Sequence, residues 1–190
     1  MKFEELTEKE FDTFFKKHPL STFLQSPHFN AADELENWKI VYLGVKKGKK
    51  IVAGARIKYT PTHFNKYIYY APRGILMDYN DEEVVKFYTK NVKKYIKEHN
   101  GYVLHIDPIV IHKERDIDGN IVENGIDNSK VVEQLLSLNY KKVPVEEKEQ
   151  VGWMFSLDLE NKTEEQILKE MKPNTRNTIR KAEKIGITVN

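Results

Sequence analysis

The strongest chemical signal in the sequence is a series of basic residues near its end. They recur every four positions, at Lys172, Arg176, Arg180 and Lys184, which keeps their side chains on one face of a helix. Polar residues follow Pro173, so the first backbone N–H groups of this helix are available to an anion. The spacing predicts a site for phosphate, on a nucleotide-linked substrate or on RNA. The alternative is a solvated charged face with no ligand.

A second candidate is Arg73, one of only five arginines in the chain. It belongs to the segment Tyr-Ala-Pro-Arg-Gly, residues 70–74, between a predicted strand and a predicted helix. A guanidinium on such a turn can bind an anion in the crevice at the carboxyl ends of the strands. The alternative is a structural turn whose arginine pairs with a nearby carboxylate.

A third candidate is the pair His105 and Asp107. Residues two apart on a strand share a face, so this imidazole and this carboxylate could cooperate in proton transfer. The alternative is structural, because an Asp before Pro108 is also an ordinary way to end a strand.

Composition excludes several other chemistries. The 190 residues contain no Cys, which excludes disulfides, thiolate metal sites and cysteine nucleophiles. The six His lack the tight pairing of a zinc site, and no glycine-rich nucleotide motif is present, so we expect no metal and no cofactor. The 31 Lys and Arg nearly balance the 29 Asp and Glu, so nucleic acid could be bound only by a local patch.

The predicted elements follow the order α-α-β-β-β-α-β-α-β. The strands are predicted at residues 38–45, 51–59, 66–71, 102–106 and 140–145, and the longer helices at 81–99 and 129–138. The helix between the third and fourth strands acts as a crossover, which predicts an α/β (α+β) mixed sheet.

A new unit is predicted to start after this sheet. Residues 151–159 alternate like a strand, two helices follow from Thr163 to Gly186, and a further strand is predicted at 187–189. We therefore expect a first domain over residues 1–149 and the truncated beginning of a second over 150–190. The N-terminus lacks the apolar run of a signal peptide, and no stretch is long and apolar enough for a membrane span, so a cytoplasmic protein is expected.

Five blocks of sequence, in this order, carry a resemblance to a known family: residues 23–26 (Phe-Leu-Gln-Ser), 70–79 (beginning Tyr-Ala-Pro-Arg-Gly), 104–108 (Leu-His-Ile-Asp-Pro), 153–159 (beginning Trp-Met-Phe) and 175–182 (beginning Thr-Arg-Asn). Together they resemble FemABX-type aminoacyltransferases of peptidoglycan bridge formation, over nearly the whole chain. The resemblance implies two domains of the GCN5-related acyltransferase (GNAT) fold, of which this chain is the N-terminal part.

The resemblance also implies an activity. Such enzymes transfer an amino acid from aminoacyl-tRNA, the co-substrate, to a stem-peptide amine of a peptidoglycan precursor, either lipid II or a UDP-linked muropeptide. DNA is not an expected partner. The resemblance also implies a peripheral position at the inner face of the membrane. The implied catalytic residue is Asp107, and the implied substrate-binding residues are Gln25, Arg73, Gly74, Trp153, Arg176, Asn177, Arg180 and Lys181.

Two departures from the family pattern bear on these expectations. Some relatives carry a basic residue shortly after the Gln-containing block, where this chain reads Asn30-Ala31-Ala32-Asp33, and Gly152 stands where Arg is expected. Because much of a second domain is missing, we expect this piece alone to be inactive. Two alternatives to the aminoacyltransferase remain: an acetyl-CoA-dependent acyltransferase of the same fold, and a non-catalytic RNA-binding module.

Overall fold

The structure is a computed structural model that describes residues 1–154 and 159–188. The strands are β1 (Lys2–Glu5), β2 (Lys39–Lys47), β3 (Lys50–Pro61), β4 (Tyr67–Ala71), β5 (Leu76–Met77) and β6 (Gly101–Ile106). The α-helices are α1 (Glu8–Phe15), α2 (Asn30–Leu35), α3 (Glu82–Glu98), α4 (Ser129–Ser137), α5 (Glu164–Glu170) and α6 (Pro173–Lys184). Contacts between residues divide the chain into two compact units, residues 1–150 and 151–190.

All six strands belong to one mixed sheet in the first unit. Its order is β1-β2-β3-β4-β6, and the short β5 pairs with β3. The pairs are antiparallel except for β4 and β6, which run parallel because α3 carries the chain back between them. The predicted mixed sheet with a crossover helix is confirmed.

The main core lies between the sheet and α3. Residues of β2 and β3 that alternate along each strand face α3, and the helix buries residues three and four apart, as its sequence period predicts. Asp81 caps this helix by accepting a hydrogen bond from the Val84 N–H at 3.1 Å. The packed residues include Leu43, Val45, Ala55 and Ile57 from the sheet, and Val84, Val85, Tyr88, Val92 and Ile96 from α3.

The opposite face of the sheet is covered by α1. Phe11 is fully buried and stacks on Tyr42, with the ring centroids 4.9 Å apart. A Cβ at Gly54 would lie 3.1 Å from a ring carbon of Phe14, so the absence of a side chain lets α1 approach β3. Arg56 is two residues beyond Gly54 and therefore faces the same side.

Several predicted boundaries differ from the structure. Strand β1 was not predicted, since its four residues contain one apolar side chain and form a strand only by pairing with β2. Residues 140–144 form no strand, because Pro144 has no N–H for a ladder and Tyr140 packs under the ammonium of Lys93. Residues 151–154 and 187–188 are not in strands either. Residues 155–158 and 189, which complete those two predictions, lie outside the described residues.

The second unit contains α5 and α6. Thr163 and Gln166 form a capping box at the start of α5, and Pro173 occupies the first turn of α6. The interpretation of this unit as the beginning of a second GNAT-like domain stays a prediction. Within the described residues, no helix has the length and apolar character needed to cross a bilayer.

Candidate functional site

The candidate site lies where the parallel strands β4 and β6 end. Their register pairs Tyr70 with His105 and Ala71 with Ile106, so the residues that follow the two strands are neighbours. The Asp107 carboxylate accepts hydrogen bonds from the Tyr70 hydroxyl at 2.9 Å and from the Arg73 backbone N–H at 2.5 Å. The structure therefore brings together two of the predicted segments that are 34 residues apart in sequence.

The turn after β4 has an unusual backbone. Arg73 has a φ of 52°, in the left-handed region that non-glycine residues rarely adopt. The Gly74 N–H donates to the Ala71 carbonyl at 3.0 Å, which closes the turn. Arg73 lies between Pro72 and Gly74 in this turn, and its backbone N–H is the one that donates to Asp107.

Gln25 lies behind this turn and is fully buried. Its Nε2 donates to the Pro72 carbonyl at 2.7 Å and to the Arg56 carbonyl at 3.0 Å, and its Oε1 accepts from the Arg56 N–H at 2.9 Å. A Cβ on Gly74 would lie 3.0 Å from the Gln25 Nε2. Gln25 thus joins the predicted site, in contact with the backbone of β3 and of the turn.

Burial is the largest influence on the pKa values of Asp107 and Tyr70. It raises the pKa of Asp107, and the hydrogen bonds from the Arg73 N–H and the Tyr70 hydroxyl offset only part of that rise, so the net pKa lies above the usual range of an Asp. Burial also raises the pKa of Tyr70, and the negative charge of Asp107 raises it further. The carboxylate is therefore a proton acceptor with a neutral phenol beside it.

A charged cluster not predicted from the sequence lies next to the site. The Arg56 side chain is completely buried; it donates to the Asp33 carboxylate at 2.5 Å and to the Asn30 amide oxygen at 2.7 Å. Lys58 donates to the other Asp33 oxygen at 2.8 Å, and its ammonium lies 4.5 Å from the centre of the Trp38 ring. Burial alone would raise the pKa of Asp33, but the hydrogen bonds from Lys58 and Arg56 outweigh it and the net pKa is lowered.

This cluster and the Asp107 site border one cleft in the first unit, of about 190 Å³. Tyr70 connects them, because its ring lies 5.8 Å from the Lys58 ammonium and its hydroxyl bonds Asp107. The cleft is lined by Leu24, Phe29, Ala32, Asp33, Glu36, Arg56, Lys58, Tyr70, Pro72 and Gln150. Such an arrangement can hold a polar group in the cleft, which the Tyr70 hydroxyl connects to the Asp107 carboxylate.

The remaining predicted site residues belong to the second unit. Arg176 is half-buried and donates to the Lys169 carbonyl at 2.7 Å, while Asn177, Arg180 and Lys181 are exposed on α6. Trp153 is 74% exposed. A role for each of these residues in substrate binding stays a prediction.

Sequence reasoning missed Tyr70 as the partner of Asp107, and it missed the cluster around Arg56. A signal for the second was present: Arg56 is a charged residue inside the apolar segment Val-Ala-Gly-Ala-Arg-Ile, and a buried charge requires a partner. The sequence pairs His105 with Asp107, but His105 lies inside β6, and the hydrogen bonds described above come to Asp107 from Tyr70 and Arg73.

Similarity to known proteins agrees with this architecture. Residues 6–190 match the FemAB family. The chain is 33% identical over 195 residues to aminoacyltransferase FemB of Staphylococcus epidermidis, and 28% identical over 197 residues to aminoacyltransferase FemA of Staphylococcus aureus. Each match covers 100% of this chain and 46% of the relative, so the chain spans about half the length of these proteins.

A solved structure shares the fold. The crystal structure of FemX matches with a TM-score of 0.75 and 20% identity, over 100% of this chain and 45% of that one. The predicted mixed α/β sheet is confirmed, and the chain shares its fold with FemX, while the GNAT type of that fold stays what the sequence resemblance implies. The ordered sequence blocks, the sheet topology and the family match agree, and the chain belongs to the FemAB family.

Proposed function

We propose that this chain is part of an aminoacyltransferase that moves an amino acid from aminoacyl-tRNA to the stem-peptide amine of a peptidoglycan precursor. The observation that carries the proposal is the match of all 190 residues to proteins named as aminoacyltransferases. Because the chain spans 46% of those relatives, the activity is proposed for the longer protein, and the piece alone is expected to be inactive.

Asp107 is the proposed catalytic residue. In this reaction the amine attacks the ester carbonyl of the aminoacyl-tRNA and loses a proton as the amide bond forms, while the ester C–O bond breaks and the ribose oxygen of the tRNA leaves and takes up a proton. Asp107 would accept that proton, and a carboxylate whose pKa is raised by burial suits this role better than an ordinary one. Holding the amine and the ester together supplies much of the remaining rate, so no covalent enzyme nucleophile is needed.

Both proposed substrates carry phosphates, and each unit offers groups for an anion. In the first unit these are Arg73 and, at the cleft, Lys58. In the second unit they are Arg180 and Lys181 on the exposed face of α6. No cofactor is part of the proposal. A cytoplasmic enzyme working at the inner face of the membrane, on a UDP-linked or lipid-linked acceptor, follows from these partners.

The proposal is tested with a version extended to the length of the relatives, beside the 190-residue chain. Transfer of a labelled amino acid from charged tRNA to a lysine-containing precursor is measured, with acetyl-CoA as a competing donor. We expect transfer by the extended protein alone, abolished by Asp107→Asn and retained by Lys86→Gln, a change on the exposed face of α3. Acetyl transfer instead would establish the acetyl-CoA alternative, and unchanged turnover in Asp107→Asn would remove Asp107 from the mechanism.

A further inference from the structure

The side chain of Gln25 has no exposed surface. An amide nitrogen carries two hydrogens, and both are donated to backbone carbonyls, of Pro72 and of Arg56. The amide oxygen accepts the Arg56 N–H. A substrate could reach this side chain only by breaking buried hydrogen bonds, so direct contact with substrate does not account for its position.

We propose that Gln25 is a positioning residue of the Asp107 site: its amide ties the turn at residues 72–74 to β3 and so holds the Arg73 N–H against the Asp107 carboxylate. The catalytic role of Asp107 rests on the proposed function, whereas the coupling between Gln25 and Asp107 rests on geometry alone.

The coupling runs through a single peptide unit. Gln25 holds the Pro72 carbonyl at 2.7 Å, and the N–H of the same peptide, that of Arg73, donates to the Asp107 carboxylate at 2.5 Å. Gly74 packs on the same amide, since a Cβ there would lie 3.0 Å from Nε2 and 3.2 Å from Cδ of Gln25. The other anchor of Gln25 is a central strand, β3, which β2 and β4 fix on both sides.

The Asp107 carboxyl reports on this coupling because it accepts the Arg73 N–H directly. Tyr70 faces it from β4, Arg73 from the turn, and Glu149 from the segment that closes the first unit. Burial and the Glu149 charge favour the protonated form, while the Arg73 N–H and the Tyr70 hydroxyl favour the charged form. If the turn loses its tie to β3, the Arg73 hydrogen bond weakens and Asp107 should titrate at higher pH.

The experiment follows the Asp107 carboxyl by NMR through a pH titration of the 190-residue chain. Gln25→Met keeps the size of the side chain and removes all three hydrogen bonds. The matched control is Val92→Ala on α3, which removes buried volume from the main core without touching the turn. We expect Gln25→Met to move the Asp107 titration upward in pH, and Val92→Ala to lower stability while leaving that titration in place.

Gly74→Ala tests the same coupling from the opposite side, because its new methyl group would press on the Gln25 amide. It should also move the Asp107 titration upward, and it keeps the test available if Gln25→Met does not fold. In the extended enzyme, Gln25→Met should lower kcat/KM by about tenfold or more, the effect of weakening one hydrogen bond to a charged group, and should move the acid limb of the pH profile upward.

An Asp107 titration that is the same in Gln25→Met, Gly74→Ala and Val92→Ala would overturn the proposal and leave Gln25 as a core residue only. Failure of the proposed function gives a different result: the extended wild-type protein would transfer no amino acid, while the titration of Asp107 in the 190-residue chain would still respond to Gln25→Met.

Discussion

The buried pair of Arg56 and Asp33 gives the sharpest prediction of stability. Asp33→Asn keeps the size of the side chain but removes the charge that compensates a completely buried guanidinium, whose other hydrogen-bond partners are the Asn30 amide and, at 3.4 Å, the Leu24 carbonyl. Removing one partner of a buried ion pair costs about 3–5 kcal/mol. For a unit of this size that corresponds to a fall in Tm on the order of 10 °C.

The assay is urea unfolding of the 190-residue chain, followed by circular dichroism, with thermal unfolding as a second measurement. Lys86→Met is the control, because it breaks an exposed i,i+4 pair with Glu82 and should leave both midpoints nearly unchanged. The double variant Asp33→Asn/Arg56→Met should recover part of the loss, since it removes the uncompensated cation as well. A loss below about 1 kcal/mol for Asp33→Asn, or no recovery in the double variant, would refute the reasoning.

Three further predictions follow from the structure. In the extended enzyme, transfer should decline on acidification at a pH above the ordinary pKa of an Asp, because burial raises the pKa of Asp107 and the base must be deprotonated; a kcat/KM profile with no decline above that value would contradict the assignment. Folding lowers the pKa of Asp33, so the ionised Asp33 carboxylate stabilises the fold above its unfolded-state pKa, and this stabilisation is lost as the pH falls through its folded-state pKa. In acid unfolding, the stability of Asp33→Asn should therefore fall less steeply with pH than that of the wild type. Gly101→Ala should destabilise the protein by about 1–3 kcal/mol, since the new Cβ would lie 2.2 Å from Cγ2 of Ile96 and 2.7 Å from the Ile96 carbonyl oxygen. Calorimetry checks this prediction, and the control is Lys97→Ala, a change at an exposed position of α3.

Much of the fold could be predicted because its signals are local. The apolar period of α3 and the alternation along β2 and β3 each depend on residues a few positions apart, and the structure contains all three elements. The predicted strand at residues 140–145 was wrong for a local and a tertiary reason, since Pro144 has no N–H for a ladder and Tyr140 packs under the ammonium of Lys93 on α3.

The candidate site could be predicted only in part. Asp107 and Arg73 were singled out from their residue types and the turns they occupy, and the ordered blocks indicated the family. The contact between them was not predictable, because it depends on the parallel register of β4 and β6 and on the left-handed backbone of Arg73.

The sequence by itself therefore determined the mixed sheet, the crossover helix and membership of the family, which follow from local periodicity and from ordered motifs. Only the tertiary structure decided the partners of buried polar groups. Arg56 donates to Asp33, 23 residues away in sequence, and Gln25 donates to the Pro72 carbonyl, 47 residues away. Asp107 accepts from Tyr70, 37 residues away. Each buried polar group must be satisfied, but which distant group satisfies it is set by strand order and register, and no local pattern records either.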